Sequence, residues 1–203
     1  MHKSSYLKMK WFKNKYLNTS ANLRILDVGS LDGTGEFNYR EIFNEKNWNY
    51  KGLDFQDGNN VDILVSDIYN WTEVEDNSYD VVISGQLFQH LEYFWLTMSE
   101  IERVLKPGGY VCIIAPAAGP KHGGNMPNCY RFREDGLAAM AKYVDLEVLH
   151  TEVNGSDNAA PWHDACLVAH KTGSSEVSET KKLENRMDNL ENKLDAILQA
   201  IQK

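Results

Sequence analysis

Short apolar runs alternate with stretches of helical periodicity through the middle of this chain. Residues 24–28 (Arg-Ile-Leu-Asp-Val) form the first run and read as a strand. A helix is expected over 35–44, then strands over 50–54, 63–66 and 80–84, the last around Val81, Val82 and Ile83. Phe94, Met98, Ile101 and Leu105 recur at helical spacing, and Pro107-Gly108-Gly109 is expected to stop that helix. A strand over 110–115, a helix over 133–143 and strands over 146–153 and 165–170 complete the series. Strands alternating with helices predict the α/β class, with a doubly wound, mainly parallel sheet of seven strands.

The two ends follow other patterns. Residues 1–20 form a lead-in with lysines at 3, 8, 10, 13 and 15, and Tyr6, Met9, Phe12, Tyr16 and Leu17 near one helical face. Residues 172–203 begin with the polar linker Thr-Gly-Ser-Ser. Beyond it Met187, Leu194 and Ile201 fall at a positions, and Leu183, Leu190 and Ile197 at d positions, of a heptad seam. Arg186 and Lys193 lie at g and Glu184 and Glu191 at e, and Arg186 would face Glu191 of the partner in a parallel pairing. That charge pattern predicts a parallel coiled coil, and Leu at a with Ile at d leans toward three or four strands over two. A tail helix folded back on its own domain is the alternative.

With 203 residues the chain holds one ordinary domain plus these appendages. A net charge of −8 disfavours a nucleic-acid partner. Cys112, Cys129 and Cys166 lie far apart and lack metal-ligand spacing. Together with an N-terminus lacking a signal-type apolar core, they point to the cytoplasm. The basic lead-in leaves contact with an anionic membrane surface as a minor alternative.

The first strand runs into a loop with glycines at 29, 33 and 35. Such a loop at a strand's carboxyl end is where an open α/β sheet binds nucleotide-like ligands. The spacing does not give the G-x-G-x-x-G of a dinucleotide site, and Asp27 suits a cationic ligand better than a phosphate. Asp54 ends the second strand, where an acid accepts from ribose hydroxyls or simply caps the strand. Asp67 closes the third and can accept from an adenine amino group or serve as a turn residue. Ser84-Gly85-Gln86 follow the fourth strand on the same edge.

The pieces ILDVGSLDGTG, YKGLDF, the Asp67 turn, NSYDVVISGQLFQHL and EIERVLKPGGYVCIIAP, in this order and spacing, resemble the class I S-adenosylmethionine-dependent methyltransferases. The resemblance spans about residues 23–169. It implies a Rossmann-like methyltransferase domain over 21–171, with S-adenosylmethionine as cofactor and S-adenosylhomocysteine as product. It also implies a helix over the cofactor from residues 1–20, and a substrate site above strands four and five. The cofactor contacts it implies are Asp27, Gly29, Ser30, Gly33, Asp54, Phe55, Asp67, Ile68, Gly85 and Gln86. Two departures stand out: Leu31 where members commonly have another glycine, and Gln89-His90 where many relatives carry Glu-His.

Residues 116–132, PAAGPKHGGNMPNCYRF, are dense in Gly, Pro and Asn and are expected to form a long loop above the site. His122 is the first candidate for a general base, His90 the second, and Tyr130, Arg131 and His163 are candidate acceptor contacts. In the resembled family, a His and a Tyr-Arg-Phe at these places occur among polysaccharide-modifying enzymes. The expected reaction is therefore O-methylation of a small polar acceptor, most simply a sugar or glycan hydroxyl. No acid cluster suggests a metal. The rival readings are a non-catalytic cofactor-binding scaffold assembled through the coiled coil, and a nucleotide-cofactor oxidoreductase.

Overall fold

The computed structural model describes residues 3–33, 38–121, 126–156 and 160–173. Seven strands form one sheet: β1 (Leu23–Val28), β2 (Trp48–Asp54), β3 (Ile63–Leu64), β4 (Tyr79–Gly85), β5 (Leu105–Ala115), β6 (Glu147–Val153) and β7 (Ala165–His170). Their order is β3-β2-β1-β4-β5-β7-β6. Neighbours from β3 through β5 are parallel, while β7 runs antiparallel to both β5 and β6. The architecture is Rossmann-like and mostly parallel, with an antiparallel hairpin at one edge.

Side chains alternate across a strand, and both faces of this sheet are apolar because both are covered. Leu26, Val28, Val82, Val111, Ile113 and Leu167 pack on the face that carries α2 (Phe94–Val104) and α3 (Glu134–Tyr143). Ile25, Val81, Ile83, Cys112, Ile114, Cys166 and Val168 pack on the other. There α1 (Lys3–Tyr16) buries Met9 and Phe12 completely. The α1 layer is fixed at its far end by Lys13, whose ammonium donates to the Ile42 carbonyl and to Glu45, each at 2.7 Å.

Two expectations are corrected. The helix expected over 35–44 is, among the described residues, a single 3₁₀ turn at Tyr39–Glu41. Tyr39, Ile42 and Phe43 do share a buried face, as the periodicity required. One turn is enough to bury them, because β2 already begins at Trp48 and the chain must reverse before it. Pro107-Gly108-Gly109 does not stop α2. The helix ends at Val104, with Leu105 extended at φ −75°, ψ 128°. The Pro-Gly-Gly is instead an irregularity inside β5, where the register jumps from Tyr79↔Leu105 to Val81↔Tyr110. Gly108 takes φ +82° there, and its N–H donates to the Lys171 carbonyl. The heptad pattern of the tail lies outside the described residues. No helix among those described is long and apolar enough to cross a membrane.

Candidate active site

The carboxyl ends of β1, β2 and β4 meet at the glycine loop. Gly29 has φ +79°, and a Cβ there would sit 2.7 Å from the Leu87 Cβ. Only glycine lets the loop turn this tightly against the β4 turn. The Gly29 and Ser30 N–H groups both donate to the Leu53 carbonyl, at 2.9 and 3.2 Å. Ser30 is held twice by Asn60: its hydroxyl donates to the Asn60 carbonyl, and its own carbonyl accepts from the Asn60 amide. Among the described residues nothing lies within 4 Å of where a Gly33 Cβ would sit.

Asp54 is the loop's anchor. Its Oδ2 accepts from the Leu31 N–H and its Oδ1 from the Gln56 N–H, both at 3.0 Å. Each carboxylate oxygen keeps lone-pair capacity after one such bond, so two further hydroxyl donors fit. Burial raises the pKa of Asp54, and the backbone N–H groups of Leu31, Gln56 and Phe55 oppose the rise.

Asp27 is deeper, at 2% exposure. It accepts a short hydrogen bond from the Tyr50 hydroxyl. Burial pushes its carboxyl up to about 7; Tyr50 and Arg40 act against the rise, and the nearby Asp54 adds to it. Arg40 lies over the Tyr50 ring and pairs with Asp62 at 2.5 Å.

Beside this edge is a cavity of about 270 Å³. Phe55, Ile68 and Tyr69 form one wall, Leu87, His90 and Glu92 another, and Met126 and Pro127 of the long loop lie across it. Asp67 is exposed, and its Oδ1 accepts from the Tyr69 N–H at 2.8 Å, so it shapes the turn that presents Ile68. His90 Nδ1 lies 2.6 Å from the Pro127 carbonyl. A carbonyl only accepts, so Nδ1 carries the hydrogen and Nε2 is the basic nitrogen. From the cavity wall an aromatic rim runs outward. The rings of Tyr69 and Tyr93 are 5.5 Å apart, those of Tyr93 and Trp95 5.8 Å, and Tyr93 and Trp95 are 49% and 37% exposed.

Gly85 ends β4, and the space of its absent side chain is filled by Tyr39. Gln86 follows in a left-handed conformation, φ +66°. The candidate acceptor contacts do not line the cavity. Tyr130 donates to the Glu92 carbonyl and packs on Phe94. The Arg131 guanidinium staples the loop, donating to the carbonyls of Gly119, Pro120 and Tyr130 and to Asn128. His163 contacts the Asn154 carbonyl. His122 lies outside the described residues.

Sequence reasoning missed Tyr50, Asn60 and Arg40, which hold the loop from beneath. The signal available was Gly52. It pairs with Asp27 in the sheet, and any side chain there would collide with Ser30 and Asn60.

The site fits an adenosyl group carrying positive charge. A carboxylate with spare lone pairs stands beside apolar walls, a second carboxylate lies below, and the glycine loop itself carries no cation that would hold a pyrophosphate.

A family model described as a methyltransferase domain matches residues 26–113. No curated protein matches. A SAM-dependent methyltransferase from Aquifex aeolicus superposes with TM-score 0.56 at 17% identity, covering 85% of this chain and 100% of that one. The Burkholderia thailandensis 1,6-didemethyltoxoflavin-N1-methyltransferase, solved with S-adenosylhomocysteine, gives 0.62 at 15%, covering 83% and 79%. The [4+2]-cyclase SpnF gives 0.64 at 17%, covering 83% and 81%. At these identities the structures share the fold, and the chemistry differs among them. The family match lies over the glycine loop and the strands that carry the site, so residues 26–113 are similar to a methyltransferase domain, within a fold shared with S-adenosylmethionine-dependent methyltransferases.

Proposed function

We propose that this chain is an S-adenosylmethionine-dependent methyltransferase that acts on a hydroxyl of a sugar or another small polar acceptor. The observation that carries the reading is the cavity itself. It adjoins the loop that Asp54 anchors, holds an imidazole with its basic nitrogen at Nε2, and opens onto an aromatic rim.

The cofactor supplies a methyl group on a positively charged sulfur, so the leaving group needs no activation. The protein's task is then to hold, orient and deprotonate. Asp54 binds the ribose hydroxyls, and Gly29, Ser30 and Gly33 form the backbone cradle above Asp27. Phe55, Ile68 and the Asp67 turn take the adenine, and Gly85 and Gln86 flank the cofactor through their backbone. Orientation of two bound reactants is worth up to about 7–11 kcal/mol. A base near the acceptor hydroxyl adds typically 10²–10⁴-fold. His90, the second candidate for that base, lines the cavity; His122, the first candidate, lies outside the described residues.

The rim supports a sugar. A pyranose ring has a face of C–H bonds polarised by neighbouring oxygens, and an aromatic ring presents a negative face to them. The flanking carboxylates of Asp67 and Glu92 disfavour polyanionic acceptors.

Residues 172–203 are proposed to self-associate as a parallel coiled coil, on the strength of their heptad charges, with 1–20 and 21–171 as lead-in and catalytic domain.

The test is transfer of labelled methyl from S-adenosylmethionine to two acceptor panels, one of neutral oligosaccharides and one of primary and secondary amines. Alkali-stable label on sugar is expected. Label on amines alone would refute the hydroxyl reading.

A further inference from the structure

The helix α1 carries five lysines and no acidic residue, in a chain whose net charge is −8. Its inward face belongs to the fold. Met9 and Phe12 are completely buried, and the hydroxyls of Ser5 and Tyr39 are hydrogen-bonded at 2.6 Å. Ser4 donates to Asp164 Oδ2 at 2.6 Å, and Asp164 Oδ1 accepts from Gln86 Nε2 at 2.9 Å, which ties the helix start to the end of β4. Lys13 is fixed on Ile42 and Glu45. The helix is therefore held in rotation, and one stripe is presented outward. Lys3, Leu7, Lys10 and Asn14, three or four residues apart, are all exposed, with Lys15 exposed beside them.

That stripe joins unpaired charge to apolar surface. Lys3, Lys10 and Lys15 make no ion pair among the described residues, whereas Lys8 pairs with Glu152. Between Lys3 and Lys10, Leu7 is 54% exposed. Trp11, one turn on, is half-buried, with the ammoniums of Lys8 and Lys15 at 4.2 and 5.0 Å from its ring centre. Beside the first turns of the helix lies a cavity of about 730 Å³. Lys3, Leu7, Lys8 and Trp11 line it from α1, and Asn154 and Ser156, just beyond β6, line it from below. Among the described residues no carboxylate lines it. Asn154 Oδ1 accepts from the Ser156 N–H and hydroxyl, so its Nδ2 hydrogens remain to donate.

Ammonium and amide donors beside exposed aliphatic and indole carbon suit a phosphate ester joined to hydrocarbon. A nucleic acid would use the ammoniums and leave Leu7 without a partner, and the acidic balance of the chain opposes it. We propose that the outer face of α1 docks on an anionic lipid surface. Lys3, Lys10 and Lys15 meet the headgroup phosphates, Leu7 enters the tops of the acyl chains, and one headgroup sits in the cavity. Long lysine stems let the ammoniums reach the phosphates while the leucine lies deeper. Each ammonium at such a surface strengthens binding about fivefold, and salt weakens the attraction.

The test is flotation of the full chain with vesicles of phosphatidylcholine alone or mixed with phosphatidylglycerol, at low and high salt. Urea midpoints check that each variant folds. Capture by the mixed vesicles only, reduced by salt, is expected. Lys3→Gln combined with Lys10→Gln is expected to weaken capture about thirtyfold. Leu7→Ser is expected to weaken it about tenfold without changing its salt dependence. Asn154→Asp keeps the acceptor for Ser156 and puts a carboxylate in the cavity; a loss of about tenfold is expected. No capture, equal capture by both kinds of vesicle, or capture that the paired lysine variant leaves unchanged would overturn the proposal. Unchanged capture by Asn154→Asp would remove the headgroup from the cavity. Retention of single-stranded RNA without vesicle capture would overturn the proposal in favour of a nucleic acid.

Discussion

Replacing Asp27 with Asn isolates the cost of a buried charge under the cofactor loop. Burial pushes the Asp27 carboxyl from 3.8 up to about 7 in the folded protein. Between those two values the folded state holds a proton that the unfolded state has released. Stability therefore falls as pH rises through that window, and the loss is complete above about 7. At about 1.36 kcal/mol per pKa unit, the full loss is about 4 kcal/mol, of which about 2 kcal/mol falls between pH 5.5 and pH 8. Asn mimics the protonated acid in shape, and its oxygen still accepts from the Tyr50 hydroxyl. The assay is urea unfolding of wild type and Asp27→Asn across that range. Every other titrating group is common to both proteins and cancels in the difference. Asp27→Asn is expected to gain about 2 kcal/mol on wild type between pH 5.5 and pH 8. Parallel profiles would show that Asp27 ionises as freely folded as unfolded, and would refute the buried-charge account of the loop.

Gly29→Ala forces a left-handed alanine and an overlap with Leu87; a loss of about 3 kcal/mol in urea unfolding is expected, with S-adenosylhomocysteine binding abolished. Trp95→Ala removes an exposed ring of the rim, and is expected to raise the KM for a sugar acceptor about tenfold without shifting the urea midpoint. Truncation after Lys171 is expected to convert an oligomer into a monomer by light scattering; equal masses would end the coiled-coil proposal.

The strands were legible because β1, β4 and β5 each carry a short apolar run, Ile25-Leu26, Val81-Val82-Ile83 and Val111–Ala115, whereas the order of strands in the sheet was not read from the sequence. Asp54 and the glycine loop were legible for a related reason: a strand end fixes where its last side chain lies. The turn at Tyr39–Glu41 was not, since one turn and three turns bury the same Tyr39, Ile42 and Phe43. The Pro-Gly-Gly inside β5 was misread because its partner is Lys171, more than sixty residues away in the chain. Arg131 and Asp164 show the same limit from the side of the site. Arg131 looked like an acceptor contact and braces its own loop, whereas Asp164 carried no motif and joins three elements that are distant in sequence.

Calorimetric titration of S-adenosylhomocysteine into wild type and Asp54→Ala tests the central claim most directly. The account predicts micromolar binding by wild type and at least a tenfold loss in the variant, whose loop has lost its diol acceptor. A wild type that fails to bind would contradict the cofactor assignment, and equal binding by both proteins would remove Asp54 from the ribose.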